Sequence, residues 1–251
     1  MNLKEASGRI GVDHWFFDLD DTLIPTSWVF EQQMQAYAQF VSDRMGSGGT
    51  DRVWEGLKRV NNEVYKEMAV NPKRWEEVVS RLAGELGEPA EEFVAGLNIL
   101  GQIYDIRLAF HAGAEGILKG FSEAGLPMGI VTHANAEWTR RKIGWLGLTQ
   151  YVALEDVYIV NEDKHKGPED WGRAMERRGF DPVKTGVVGD SLPGDIIAAH
   201  RAGVRRKFYV PSPWSVYSQG EVPQGTEVLD KISGLIPAIY RLIGQEVDGV
   251  V

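Results

Sequence analysis

Apolar residues are spaced in two different ways along this chain of 251 residues, and the change of spacing divides it. Residues 14–19 form a nearly continuous apolar run, which suits a strand buried on both faces of a parallel sheet. Four helical stripes follow. Phe30, Met34, Tyr37, Val41 and Met45 step by three or four positions, as do Val53, Leu57, Val60, Val64 and Met68. A third stripe, Trp75, Val79, Leu82 and Leu86, starts after Asn71-Pro72 and stops at Gly87; a fourth, Phe93, Leu97, Leu100 and Tyr104, starts near Pro89. No strand pattern interrupts them, so residues 25–108 are predicted to be all-helical, with Gly46-Ser47-Gly48-Gly49 as one of the turns.

From Gly113 the pattern alternates between helix and strand. Helices are expected at 114–123, 137–146, 169–178 and 195–202, with strands at 128–132, 157–160, 185–188 and 207–210. Leu229, Ile232, Ile236, Ile239 and Ile243 mark a terminal helix, kinked or interrupted at Pro237. Alternation of this kind predicts an α/β domain with a parallel sheet and crossover helices. Its core would comprise residues 1–24 and 109–251, with the helical unit 25–108 inserted after the first strand.

Ligands of open parallel sheets sit beyond the carboxyl ends of the strands. The first strand delivers Asp18, Asp20 and Asp21 there, and such crowded acids repel one another unless a cation or an arriving group compensates them. Other predicted strand ends supply Thr132, the segment 161–166 and Asp190. The chain contains no cysteine, and Ser191 has no histidine in a recognisable nucleophile motif. A carboxylate nucleophile remains, and Asp18 is the natural candidate, with Asp20 as general acid and then general base. Hard oxygen ligands on Asp18 and Asp190 suit Mg²⁺, while Lys166 or Lys164 would add positive charge and Thr132 a hydroxyl donor.

Composition narrows the partners. The net charge of −9 disfavours nucleic acid and anionic membranes, which reward positive fields, but leaves small phosphorylated ligands open. No apolar block of signal-peptide or membrane-spanning length occurs, so a cytoplasmic soluble protein is expected. The basic clusters Arg140-Arg141-Lys142 and Arg205-Arg206-Lys207 are expected to be solvated faces. His133 and His165 fall near the expected crevice and show no metal-ligand spacing.

The run Asp18-Leu19-Asp20-Asp21-Thr22-Leu23 resembles the first motif of the haloacid dehalogenase superfamily. Gly189-Asp190-Ser191-Leu192-Pro193-Gly194-Asp195 is similar to the fourth, Gly129-Ile130-Val131-Thr132 to the second, and Lys166-Gly167-Pro168 to the third. The resemblance implies a Rossmann-like core, Mg²⁺, and attack by Asp18 on a phosphate monoester to form an aspartyl-phosphate. It also implies that the Asp20 backbone carbonyl joins Asp18 and Asp190 as metal ligands, with Asp195 at or just behind that set. Thr132 and Lys166 would hold the phosphoryl group, and the insertion would be a helical cap of the first cap class. Gly167 separates the lysine from the proline that usually follows it, which keeps Lys164 as an alternative cation. A small phosphorylated metabolite is the expected substrate. The alternatives are a phosphomutase of the same superfamily and a catalytically silent protein that binds a phospho-ligand; oligomeric state is left open.

Overall fold

The computed structural model describes residues 1–46, 49–212 and 214–248. Its centre is a six-stranded, all-parallel sheet in the order β3-β2-β1-β4-β5-β6. The strands are β1 His14–Phe17, β2 Met128–Thr132, β3 Val157–Ile159, β4 Thr185–Gly189, β5 Arg206–Tyr209 and β6 Thr226–Val228. Central β1 alternates its aromatic side chains between the two faces, as a strand must. Trp15 and Phe17 pack on Phe121 of one flanking helix, with ring centroids 5.0 and 5.6 Å apart, whereas Phe16 packs on Trp171 and Phe180 across the sheet.

Glycines beside β1 make room for these rings. Gly129 pairs with Phe16 and Gly186 with Trp15 in the register of the sheet. A Cβ at Gly129 would stand 2.3 Å from Phe16, and one at Gly186 would stand 2.8 Å from Trp15. A larger residue at either site would force the ring or the strand to move.

Helices α1 Leu3–Arg9, α7 Ala114–Glu123, α8 Ala136–Leu146, α9 Pro168–Arg178, α10 Ala198–Arg201 and α11 Leu235–Asp248 belong to the sheet domain. Between β1 and β2 lie α2 Thr26–Met45, α3 Thr50–Met68, α4 Arg74–Leu86, α5 Ala90–Val94 and α6 Leu97–Gly101, which leads into a turn of 3₁₀-helix at Gln102–Tyr104. The insertion leaves and rejoins the sheet domain at neighbouring points: His111 N–H donates to Leu23 O at 2.8 Å. Among the described residues, no helix is long and apolar enough to cross a membrane.

The structure departs from the apolar pattern in several places. The fourth helical stripe is broken at Gly96, where a Cβ would stand 2.9 Å from Tyr37 and Phe40, so close packing on α2 interrupts the helix. Pro237 lies in the first turn of α11, where its missing N–H costs no hydrogen bond, so it neither kinks nor interrupts that helix. Leu229 precedes α11 and is not part of it. The expected helix at 195–202 is the wide-turned segment Leu192–Ile197 followed by α10. The expected glycine-rich turn includes Ser47 and Gly48, which lie outside the described residues. Both α1 and β6 lack a readable apolar pattern; the three residues of β6 occupy the sheet edge.

Candidate active site

The strand order places the carboxyl ends of β2, β1 and β4 side by side. Asp18 N–H donates to Val188 O at 2.9 Å, so the first acid is still held by the sheet. The chain then turns tightly over the fully buried Leu19, Leu23 and Ile24. Asp21 takes a left-handed backbone conformation, φ 59°, which aspartate tolerates better than most residues. Its carboxylate accepts from Ser27 N–H at 2.7 Å and so caps the start of α2, while burial, opposed by the Ser27 bonds, pushes its pKa up to about 6.

Asp20 is gripped from behind. Its two carboxylate oxygens lie 2.5 and 2.7 Å from Lys142 Nζ. Thr26 donates to it at 2.5 Å and Thr132 at 3.3 Å. Lys142 is fully buried and sits 3.8 Å from the centre of the Trp138 ring, which overturns the expectation that it is part of a solvated basic face. Lys207 departs from the same expectation: it is buried, and its ammonium donates to the Val204 and Arg205 carbonyls.

Asp18, Asp190 and Asp195 form the floor, each at most 4% exposed, and one oxygen from each lies within 4.8 Å of the others. Lys166 Nζ is 2.5 Å from Asp18 Oδ1, pairs with Asp195 as well, and donates to Val131 O at 3.2 Å. Lys164 points elsewhere, to Asp170 and Glu169. Asp195 also accepts from Ser191 N–H at 2.9 Å, and Thr22 donates to Asp190 at 3.4 Å. Burial pushes the Asp18 carboxyl up to about 8, with Lys166 opposing and Asp195 and Asp20 reinforcing. Asp190 is raised well above the ordinary carboxylate range by burial and then by Asp18 and Asp195. Burial works against the Lys166 ammonium, but Asp18 and Asp195 outweigh it and raise its pKa.

One ammonium among three buried carboxylates leaves the floor short of positive charge. An all-oxygen donor set of this kind fits a hard cation such as Mg²⁺. Thr132 is fully buried behind Asp20 and is not part of the cavity wall.

The floor opens into a cavity of about 290 Å³ whose far wall comes from the insertion. His133 and His165 both line it, and His165 Nε2 lies 3.1 Å from Lys66 O of α3. Asn71 of the insertion donates to Asp163 of the sheet domain at 2.6 Å. Burial, then Lys166 and His165, lowers the His133 pKa to about 3, so its imidazole is neutral.

Lys142 and Arg74 are the wall and support residues that motif reading overlooks. Each left a signal in the sequence. Lys142 stands on the buried face of α8 with Trp138, Thr139 and Ile143, and Arg74 stands on that of α4 with Val78 and Leu82. A basic residue on an apolar stripe is a buried charge that must find a partner.

Fold and site together are those of an α/β protein with an aspartate cluster buried at the ends of parallel strands. The chain belongs to the haloacid dehalogenase-like hydrolases, whose family model matches residues 12–203. It is 29% identical over 194 residues to the glyceraldehyde 3-phosphate phosphatase of Methanopyrus kandleri, covering 75% of this chain and 79% of that one. Its structure is similar to that of a haloacid dehalogenase-like family hydrolase from Xanthomonas campestris, with a TM-score of 0.69 and 16% identity over 94% of this chain and 95% of the other. It is also similar to the HAD-hydrolase YfnB from Bacillus subtilis, a structure bound to magnesium, with a TM-score of 0.67 and 17% identity over 91% and 98% of the two chains. At these identities the solved structures establish the fold.

Proposed function

We propose that the protein is a Mg²⁺-dependent phosphohydrolase that cleaves a small phosphate monoester through an aspartyl-phosphate on Asp18. The observation that carries this reading is Lys166 Nζ 2.5 Å from Asp18 Oδ1, on a floor shared with Asp190 and Asp195. The name of the Methanopyrus kandleri relative is in accord with it. A cytoplasmic location suits a chain without cysteine and the small phosphorylated substrates of this reading.

A carboxylate oxygen of Asp18 attacks phosphorus and the ester P–O bond breaks, leaving the phosphoryl group on Asp18. Asp20 gives the leaving alkoxide a proton, then takes one from the water that attacks the same phosphorus. That second step breaks the bond to Asp18 and frees inorganic phosphate. Lys142, Thr26 and Thr132 hold Asp20 in place for both transfers. Lys166 neutralises charge beside the phosphoryl oxygens, while Asp195 and the Val131 carbonyl fix its ammonium. Asp18, Asp190 and the backbone carbonyl of Asp20 would hold Mg²⁺, which supplies positive charge against the phosphoryl oxygens when bound. The insertion acts as a cap over residues 1–24 and 109–251, excluding water through contacts such as Asn71 with Asp163.

Phosphate release from an aryl phosphate, measured with Mg²⁺ and after chelation, tests the proposal. Turnover is expected with the cation only. Metal-independent turnover, or turnover that survives Asp18→Asn, would overturn it.

A further inference from the structure

Arg74 opens α4 and is only 5% exposed, yet it lines the same cavity as Asp18. Its guanidinium packs against the rings of Trp75, Phe30 and Tyr65, with 4.9, 5.4 and 5.9 Å to their centroids. One Nη1 hydrogen bond, 3.1 Å to Ala69 O, is all that the protein gives it among the described residues. Nε is buried with no partner. No carboxylate of the described residues comes within ion-pair distance, although Arg44, Arg59 and Arg81 on the surface of the same insertion each pair with glutamate.

A buried guanidinium without an anion is unfavourable, and the surrounding side chains supply none. Burial raises the pKa of Tyr65, Tyr104 and Tyr217, so these phenols stay neutral. With one Nη committed to Ala69, the edge formed by Nε and the other Nη has no protein partner among the described residues, and two parallel N–H groups on such an edge match the two oxygens of a carboxylate. Other unpartnered polar atoms belong to residues of the same cavity: Asn61 Oδ1, Asn62 Oδ1, His133 Nε2 and Trp138 Nε1.

We propose that Arg74 binds the carboxylate of a phosphorylated hydroxy acid, and that this contact sets the choice of substrate. The inference rests on the phosphatase reading for the opposite end of the ligand, where the phosphoryl group meets Asp18 and Lys166. A small cavity with an anion site at each end selects molecules with two anionic termini. Esters that end in a hydroxyl or an aldehyde leave the guanidinium without a partner.

The test compares kcat/KM for 3-phosphoglycerate and 2-phosphoglycolate with that for glycerol 3-phosphate. A preference of about thirtyfold or more for the carboxylates is expected, as for a charge-assisted bidentate pair. Arg74→Met should raise KM for 3-phosphoglycerate and collapse the ratio toward one, and Arg74→Lys should restore it in part. Melting of the wild type with each compound provides a reading that needs no turnover. 3-Phosphoglycerate should raise Tm more than glycerol 3-phosphate does, and the difference should vanish in Arg74→Met. Equal or better use of glycerol 3-phosphate, together with equal Tm shifts, would overturn the inference while leaving the phosphatase reading intact. A preference for a bisphosphate over both carboxylates would overturn it too. Absence of aryl phosphatase activity would sink the phosphatase reading alone, and the Tm comparison would still decide the role of Arg74.

Discussion

The floor and the far wall of one cavity treat charge in opposite ways. On the floor, Asp18 and Asp195 share Lys166, and Asp20 faces Lys142 from 2.5 Å, so the acids on hand are answered within the protein except for the charge a cation would cancel. On the wall, Arg74 is as buried as the acids, and beyond the Ala69 carbonyl no acceptor or carboxylate among the described residues answers it. On the proposed reading, the floor serves every ester of the class and the wall selects among them. Lys207 shows the other way a buried cation can settle: among the described residues its acceptors are carbonyls, and burial, then Arg206, lowers its pKa to about 8. A guanidinium stays charged in any environment a protein offers, so it has no such recourse.

The strongest way to break the contrast is to disarm the floor. Asp18→Asn should lower kcat by about a thousandfold or more for every ester, whatever its far end, in a phosphate-release assay. Chelation of divalent cations should lower turnover by about a hundredfold or more, reversibly on adding Mg²⁺. Lys142→Met should act more selectively, lowering kcat by about ten- to a hundredfold with little change in KM, because it leaves Lys166 and the wall in place. An unchanged kcat would mean that Thr26 and Thr132 suffice to place Asp20.

Gly129→Ala probes the frame beneath both regions. It should destabilise the protein by about 1–3 kcal/mol in denaturant titration, since its Cβ would collide with Phe16, and should leave the preference between esters unaltered. The last effect concerns Lys207. Between about pH 8 and 10.5 the unfolded chain keeps this proton and the folded chain has released it, so stability from this site rises with pH. Denaturant midpoints of the wild type and Lys207→Met should diverge over that window in favour of the wild type, by at most about 1.4 kcal/mol per pH unit.

What the sequence made legible follows the same division. The acids of the floor could be read because they sit at the ends of strands, where a continuous apolar run stops; Asp18, Asp20 and Asp190 were marked that way, whereas Lys166 could be separated from Lys164 only by where each side chain points. The break at Gly96 could not be read, because it depends on the rings of Tyr37 and Phe40 arriving from α2, and periodicity within one segment carries nothing about its neighbour. Pro237 misled because proline is unfavourable inside a helix and harmless in its first turn, and the boundary that decides between the two lies only two residues away. Lys142 was expected on a solvated face and Arg74 was not singled out, although both stand on apolar helix faces; their partners could not be read, since one lies on another strand's loop and the other is left for a ligand.

The hydrogen bond from His111 to Leu23 joins the two ends of the insertion. To the sheet, everything between those residues is a closed loop, and the entropy of closing a flexible loop grows only with the logarithm of its length, about 0.6 kcal/mol for each doubling. Helices added to or removed from that span would change the size and lining of the far wall while barely altering the free energy with which β1 finds β2.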